Sequence, residues 1–331
     1  MASPSNTGSS EAGRNPHGDG APELSLVDAP CALCGSSDRA PEATGFDFEY
    51  NTSRNAFRFV RCRSCGHVYL NPRPVAADLP VIYPSTYYTM ATVPAVVKRA
   101  QRIWEKKKVA VYRDALGPGK KRILDVGCGD GRFLQVLSDF GPKEWELVGV
   151  DFDEAAVARC RARGFSAYAK RVEDMANEAP GTFDCVVMLQ LLEHVENPAE
   201  TAKKIFELLA PGGIFVIETP NLAGWDYALF KKRWWGHYHF PRHFHLFSTE
   251  ALSGMLERAG FVVERVDQLI STSAWTISLG NYFLDGGYPR WFSRFFNFKN
   301  PLLLGVFVPL DTLRASLGLQ TSNQRVIARK R

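Results

Sequence analysis

Several absences frame this chain. No apolar run approaches the ~20 residues a helix needs to cross a bilayer. The strongest, Pro301-Leu-Leu-Leu-Gly-Val-Phe-Val-Pro-Leu310, is short and bounded by prolines. The N-terminus has no apolar signal core, which argues against export. No long run of one charge occurs: 40 basic and 35 acidic residues leave a net charge of +5. Part of that charge lies in Arg325, Arg329, Lys330 and Arg331, read as a solvated tail end. There is no basic stripe interleaved with aromatics, so nucleic acid is not expected as a partner. Cysteine is scarce, and four of the seven sit in two Cys-x-x-Cys pairs. That arrangement favours a metal site in a reducing, cytoplasmic compartment over a disulfide framework.

What is present falls into blocks. Residues 1–27 are rich in Ser, Gly, Asn, Pro and Ala, bury too little to offset ordering entropy, and read as a disordered tail. A cysteine module follows at 28–75, then a linker and helical lid at 76–118. In that lid Val96, Val97, Ala100, Ile103, Trp104, Val111, Tyr112 and Leu116 recur at near-helical spacing. Over 119–271 short buried strands alternate with amphipathic helices. A final strand and basic end occupy 321–331, after an aromatic insertion at 272–320. The alternation predicts an α/β fold, a doubly wound sheet with its ligand-binding loops on one edge.

Asp125-Val-Gly127-Cys128-Gly129-Asp-Gly131 stands where the first buried strand gives way to a helix. Glycines there permit positive φ and close approach to a ligand. The spacing is Gly-x-Gly-x-Gly, which differs from the dinucleotide fingerprint. Asp151 ends the second strand, where a carboxylate can accept hydrogen bonds from two ribose hydroxyls, with Phe152 placed against an adenine face. The competing reading is that Asp151 or Asp153 caps the next helix.

With Phe183-Asp184 opening the fourth strand, Leu192-Glu-His-Val195 after it and Leu209-Ala-Pro-Gly-Gly213 before the fifth, this ordered set resembles class I S-adenosylmethionine-dependent methyltransferases over about 121–270. The resemblance implies a seven-stranded Rossmann-like sheet with an antiparallel last strand. It implies S-adenosylmethionine as cofactor, held by Asp125, Gly127, Cys128, Gly129, Gly131, Asp151, Phe152, Asp174 and Gln190. In it Gly127 and Gly129 face the methionine part, Glu173-Asp174-Met175 lies near the adenine and Gln190 near the sulfonium.

Cys31-x-x-Cys34 and Cys62-x-x-Cys65, each followed by a glycine, match a tetrahedral four-cysteine zinc site. Four thiolates fill the coordination sphere, so this Zn2+ is expected to be structural, with His67 surplus. The module, running into Tyr83, Tyr87 and Tyr88, resembles the N-terminal zinc-binding region of sugar, cell-surface polysaccharide and secondary-metabolite methyltransferases. The tyrosines either close over the cofactor or substrate, or pack a domain junction.

Methyl transfer to a hydroxyl or carbon acid needs a base. His194, after strand four, resembles a histidine found at this place in many small-molecule methyltransferases; its alternative role is orienting the loop. In ubiquinone-type O-methyltransferases, which this region also resembles, a Glu three residues before the Glu-His pair helps bind a divalent cation; Gln190 stands there instead. The tract His237-Tyr-His239-Phe-Pro-Arg242-His243-Phe-His245 resembles the family's acceptor-side stretch. His239 and His243 are its general-base candidates, with Arg242 available to an acidic substrate group. Its alternate spacing would place each histidine pair on one strand face. Trp234 and Trp235 either stack on a ring or belong to the core.

The insertion, with Trp275, Tyr282, Trp291, Phe295 and Phe298, reads as a cap on the acceptor site, a dimer face, or a peripheral membrane patch. The leading reading is methyl transfer to an oxygen or carbon of a small-molecule acceptor, a sugar or secondary-metabolite intermediate. The competing readings are a non-catalytic cofactor-binding scaffold with a zinc interaction module, and a nucleic-acid or protein methyltransferase.

Overall fold

The computed structural model describes residues 20–83 and 95–331; the expectations for Tyr87, Tyr88 and residues 1–19 fall outside them. The N-terminal part holds β1 (Leu26–Val27), β2 (Arg39–Gly45), β3 (Phe57–Cys62), β4 (Val68–Leu70), β5 (Arg73–Pro74) and a single turn, α1 (Leu79–Ile82). The tail expectation therefore fails at its C-terminal end: Leu24 is buried, and β1 pairs antiparallel with β5.

Next come α2 (Ala95–Leu116), β6 (Arg122–Val126), α3 (Arg132–Phe140), β7 (Glu146–Asp151), α4 (Glu154–Ala162), β8 (Ser166–Ala169), α5 (Val172–Glu178) and β9 (Phe183–Leu189). They are followed by α6 (Pro198–Leu208), β10 (Leu209–Pro220), α7 (Trp225–Phe230), β11 (His245–Leu246), α8 (Thr249–Arg258) and β12 (Phe261–Leu269). The chain ends with α9 (Thr272–Asp285), α10 (Arg290–Ser293), α11 (Pro301–Ser316) and β13 (Asn323–Lys330). Side-chain caps start several helices where the sequence offers Asp or Asn: Asp153 accepts from the Ala155 amide for α4, and Asn197 from Glu200 for α6.

Seven strands form one sheet in the order β12-β13-β10-β9-β6-β7-β8. β8 through β10 run parallel, while β13 is antiparallel to both β10 and β12. The central strands read as continuous Val, Ile and Leu runs because both faces are covered. On one face Leu124, Val186, Phe215 and Ile217 pack under α6 and α8. On the other, Ile123, Cys185, Val187 and Ile214 meet Leu137 of α3 and Val109 and Tyr112 of α2. Among the described side chains of α2, Val109 and Tyr112 thus belong to the core beneath the sheet, while Ile103 and Trp104 stay exposed. The parallel strands end on one edge, and the turns that follow them carry the site.

Two further expectations are corrected. The basic end is not a solvated tail: Arg325 is buried in β13 and paired with Glu218 at 2.7 Å, and Arg329 pairs with Glu264 at 2.6 Å. The cysteine module is not a separate unit either. Its sheet has the order β11-β4-β3-β2, so its edge strand comes from residues 245–246. Phe57 and Phe59 share one core with Trp235, Tyr238, Phe240 and Phe244.

Candidate active site

The turn after β6 is built for close approach. Gly127 has φ +75°, and a Cβ there would lie 2.7 Å from Leu191 Cδ2. Gly129 also has positive φ, but a Cβ there would meet nothing within 4 Å, so its outer side is open. Its amide donates to Asp151 Oδ2 at 2.9 Å. Asp151 Oδ1 accepts from the Asp153 amide, while Asp153 itself is the helix cap. The helix-cap reading thus belongs to Asp153 and leaves Asp151 at the strand end, facing the turn. Phe152, next to it, is 72% exposed, and among the described residues no ring stacks on it.

The remaining cofactor candidates distribute unevenly. Asp125 is buried at the end of β6; desolvation, reinforced by Asp151 and opposed by Lys108, pushes its carboxyl up to about 7. The Cys128 thiol points under the turn, among Leu134, Val157 and Cys160, so only its backbone can meet a ligand. Gly131 starts α3 with φ +80° and packs on Cys160. Asp174 is exposed in the first turn of α5. Gln190 has φ +52°, and its side-chain amide donates to Asn323 Oδ1 at 3.0 Å.

Beyond β9, a histidine cluster assembles from two distant stretches. His194 and His243 lie with ring centroids 4.6 Å apart, His239 and His243 5.0 Å, and His194 and His239 6.4 Å. The strand-face expectation fails here. Residues 236–238 form a 3-10 turn, His239 adopts a left-handed conformation (φ +43°), and only His245 enters a strand.

Hydrogen bonds assign different roles to these rings. His243 Nδ1 donates to the His237 carbonyl at 2.7 Å. His194 Nδ1 lies 3.0 Å from both the Arg242 carbonyl and the Tyr83 hydroxyl. Burial, with His239 nearby, pushes His194 down to about 3, and burial also holds His243 well below the usual histidine range. Both rings are therefore neutral near pH 7. His237 bonds Ser271 Oγ at 2.8 Å, and His245 pairs with His67 at 3.0 Å. His239 differs: its Nδ1 is 2.7 Å from Glu49 Oε1, and both side chains keep some exposure.

Glu193, beside His194, is fully buried. Desolvation raises its carboxyl to about 8, against a weaker lowering by the Thr219 hydroxyl at 3.1 Å. Its carbonyl accepts from the amides of Phe244 and His245, which ties the two histidine stretches together. Ligand atoms of Glu193, His194 and His243 fall within 4.8 Å of one another.

Arg242 does not face an acceptor. It is wholly buried, bidentate to Asp47 at 3.0 Å through both terminal nitrogens, bonded to the Ile82 and Phe240 carbonyls, and stacked 4.3 Å from the Tyr50 ring. Burial alone would raise the Asp47 carboxyl, but the Arg242 hydrogen bonds and charge outweigh it and hold it below the ordinary range. Trp235 is core, donating to Asp226, and Trp234 donates to Asp285.

Asp47 and Glu49 escaped the sequence reading, because their partners lie 195 and 190 residues away. The only local signal was the alternation Phe46-Asp-Phe-Glu-Tyr50, which puts two acids among aromatics.

The four cysteines come together. Cys31 and Cys65 sulfurs are 3.6 Å apart, as are Cys34 and Cys62, and all four lie within 4.8 Å of one another. A zinc–sulfur bond of about 2.3 Å gives tetrahedron edges of about 3.8 Å. Gly35 and Gly66, both with φ +75°, donate to the carbonyls of Cys31 and Cys62, giving two matching knuckle turns.

The model of a methyltransferase domain family matches residues 97–266, just over half of the chain. A protein of Mycolicibacterium smegmatis named as a probable S-adenosylmethionine-dependent methyltransferase is 31% identical over 181 residues, covering 52% of this chain and 64% of the relative. A ubiquinone biosynthesis O-methyltransferase of Pseudomonas aeruginosa is 34% identical over 111 residues, covering 32% of this chain and 47% of the relative. The chain thus spans about half to two thirds of these relatives. The crystal structure of a SAM-dependent methyltransferase from Archaeoglobus fulgidus is 21% identical, with a TM-score of 0.44 over 69% of this chain and 94% of that one. The family match over half the chain, on a seven-stranded sheet with one reversed strand, makes this protein a member of the class I S-adenosylmethionine-dependent methyltransferase family.

Proposed function

We propose that this protein transfers the methyl group of S-adenosylmethionine to an oxygen or carbon of a small-molecule acceptor, a sugar or secondary-metabolite intermediate, in the cytoplasm. The observation that carries the reading is the Glu49–His239 pair beside His194 and His243, beyond the strand edge that bears the glycine turn. Asp125, the open backbone at Gly129, Asp151 and exposed Phe152 fit the cofactor, with Asp174 and Gln190 on the same edge. When bound, the cofactor supplies a sulfonium-activated methyl group and leaves as S-adenosylhomocysteine.

The protein's own part is alignment and proton removal. With Nδ1–H donated to Glu49, His239 presents Nε2 as its basic atom. It takes the acceptor proton as the new carbon–methyl or oxygen–methyl bond forms, and Glu49 stabilises the resulting imidazolium. His194 and His243, kept neutral by burial, position the acceptor rather than hold its proton. The thiolates of Cys31, Cys34, Cys62 and Cys65 would hold a structural zinc ion, which would fix the segment carrying Glu49.

Release of S-adenosylhomocysteine over a panel of sugar and phenolic acceptors tests this. Replacement His239→Ala is expected to lower turnover about 10²-fold or more, and Glu49→Gln by a smaller factor, with cofactor binding retained in both. Asp151→Ala should instead abolish binding of S-adenosylhomocysteine in calorimetry. Tight cofactor binding without turnover on any acceptor would favour the scaffold reading.

A further inference from the structure

The insertion is built inside out. In α11 the charged residues face inward: Asp311 and Arg314 are buried and paired at 3.0 Å, and Asp311 also accepts from the Ser271 amide and Trp275 Nε1. The hydrocarbon faces outward. Leu302, Val306, Pro309, Leu313 and Leu317 are all exposed, Leu302 at 69%, and their spacing of four, three, four and four residues is one face of a helix. An ordinary surface helix of a water-soluble protein shows the reverse.

The segment leading into α11 continues the pattern. Trp291 is 75% exposed and lines a shallow hollow with Phe292, Arg294 and Phe295. Phe298 is exposed, with the Lys299 ammonium 5.5 Å from its ring. Between residues 286 and 310 the chain carries three cations and no carboxylate. Exposed aromatics flanked by cations and followed by an apolar stripe match the head-group and acyl boundary of a bilayer. Among the described residues no helix is long and apolar enough to cross a membrane, so this face would lie on one.

We infer that the outer surface of α10 and α11 docks on anionic phospholipid. Charge complementarity selects this occupant over a second copy, since a face with three cations and no carboxylate between residues 286 and 310 would meet only the same cations across a two-fold axis. The proposal stands apart from the methyl-transfer chemistry, though α9 links the two regions: its N-cap Ser271 bonds His237 and Ser278 Oγ accepts from the Gly236 amide at 2.8 Å.

Sedimentation of the full chain with vesicles, without any methyl donor, tests it. Binding is expected to phosphatidylcholine vesicles containing phosphatidylglycerol, to be weak on phosphatidylcholine alone, and to fall as salt rises. Each of Arg294→Ala and Lys299→Ala should weaken partitioning about fivefold, and Trp291→Ser with Phe295→Ser at least about tenfold. These side chains are solvent-exposed, so unchanged melting temperatures serve as the folding control. No vesicle binding, or equal binding to neutral vesicles, would overturn the assignment. So would a dimer in sedimentation velocity that Trp291→Ser disperses, which would mark this face as a self-association surface.

Discussion

At the scale of single residues, burial decides which ionisable groups can do chemistry. Glu193 looks catalytic beside His194, yet with its carboxyl raised to about 8 it holds a proton near neutral pH and serves as a knot between loops. The linkage has a definite sign. A folded-state pKa above the ordinary glutamate value of 4.5 means that the folded protein binds the proton more tightly. Stability from this group is therefore complete below pH 4.5 and is lost progressively as pH rises to about 8. Glu193→Gln keeps an acceptor for Thr219 and removes that titration. The variant's melting temperature, relative to the parent, should rise between pH 5 and pH 8 by several degrees; parallel curves would contradict the assignment. The cofactor turn, Asp151 and the cysteines were legible because each is a local motif. Glu49 and Asp47 were not, because a carboxylate's meaning depends on what lies across from it, here His239 and Arg242.

At the scale of elements, β11 makes the cysteine module and the histidine tract mechanically one piece. It adds to β4 through His245↔Tyr69 and Leu246↔Val68, and the buried His67–His245 bond reinforces the join. Structural zinc contributes folding free energy directly. Removing the proposed zinc ion with a chelator is thus expected to lower the melting temperature and to cut acceptor turnover about a hundredfold, the loss typical of a displaced base. Binding of S-adenosylhomocysteine at the β6–β7 edge should persist. Elemental analysis near one zinc per chain before treatment, and near none after, would accompany this result. Full activity in the zinc-free protein would refute the coupling. The sequence showed 301–310 as a short apolar run bounded by prolines, but it could not say that this run forms a helix whose apolar face points outward. That depended on the buried Asp311–Arg314 pair anchoring the other face to α9.

At the scale of the whole molecule, the module and the methyltransferase domain share one core. Phe57 and Phe59 are almost wholly buried against Tyr238 and Phe240, each contributing about 1.5–3 kcal/mol of apolar burial. A chain beginning at residue 95 would uncover Trp235, Tyr238, Phe240 and Phe244 and leave Arg242 without Asp47. It is expected to aggregate or to melt without cooperativity in calorimetry; a sharp transition at the parent temperature would show two independent domains. The sequence by itself determined the alternation of strands and helices, the glycine turn and the paired cysteines, because strand periodicity, positive-φ turns and ligand spacing are properties of neighbouring residues. Only the tertiary structure decided that Arg242 is a buried strut, that Glu49 meets His239, and that α11 wears its hydrocarbon outside. Each depends on contacts between segments far apart in the chain, where burial and pairing, rather than residue type, set what a side chain does.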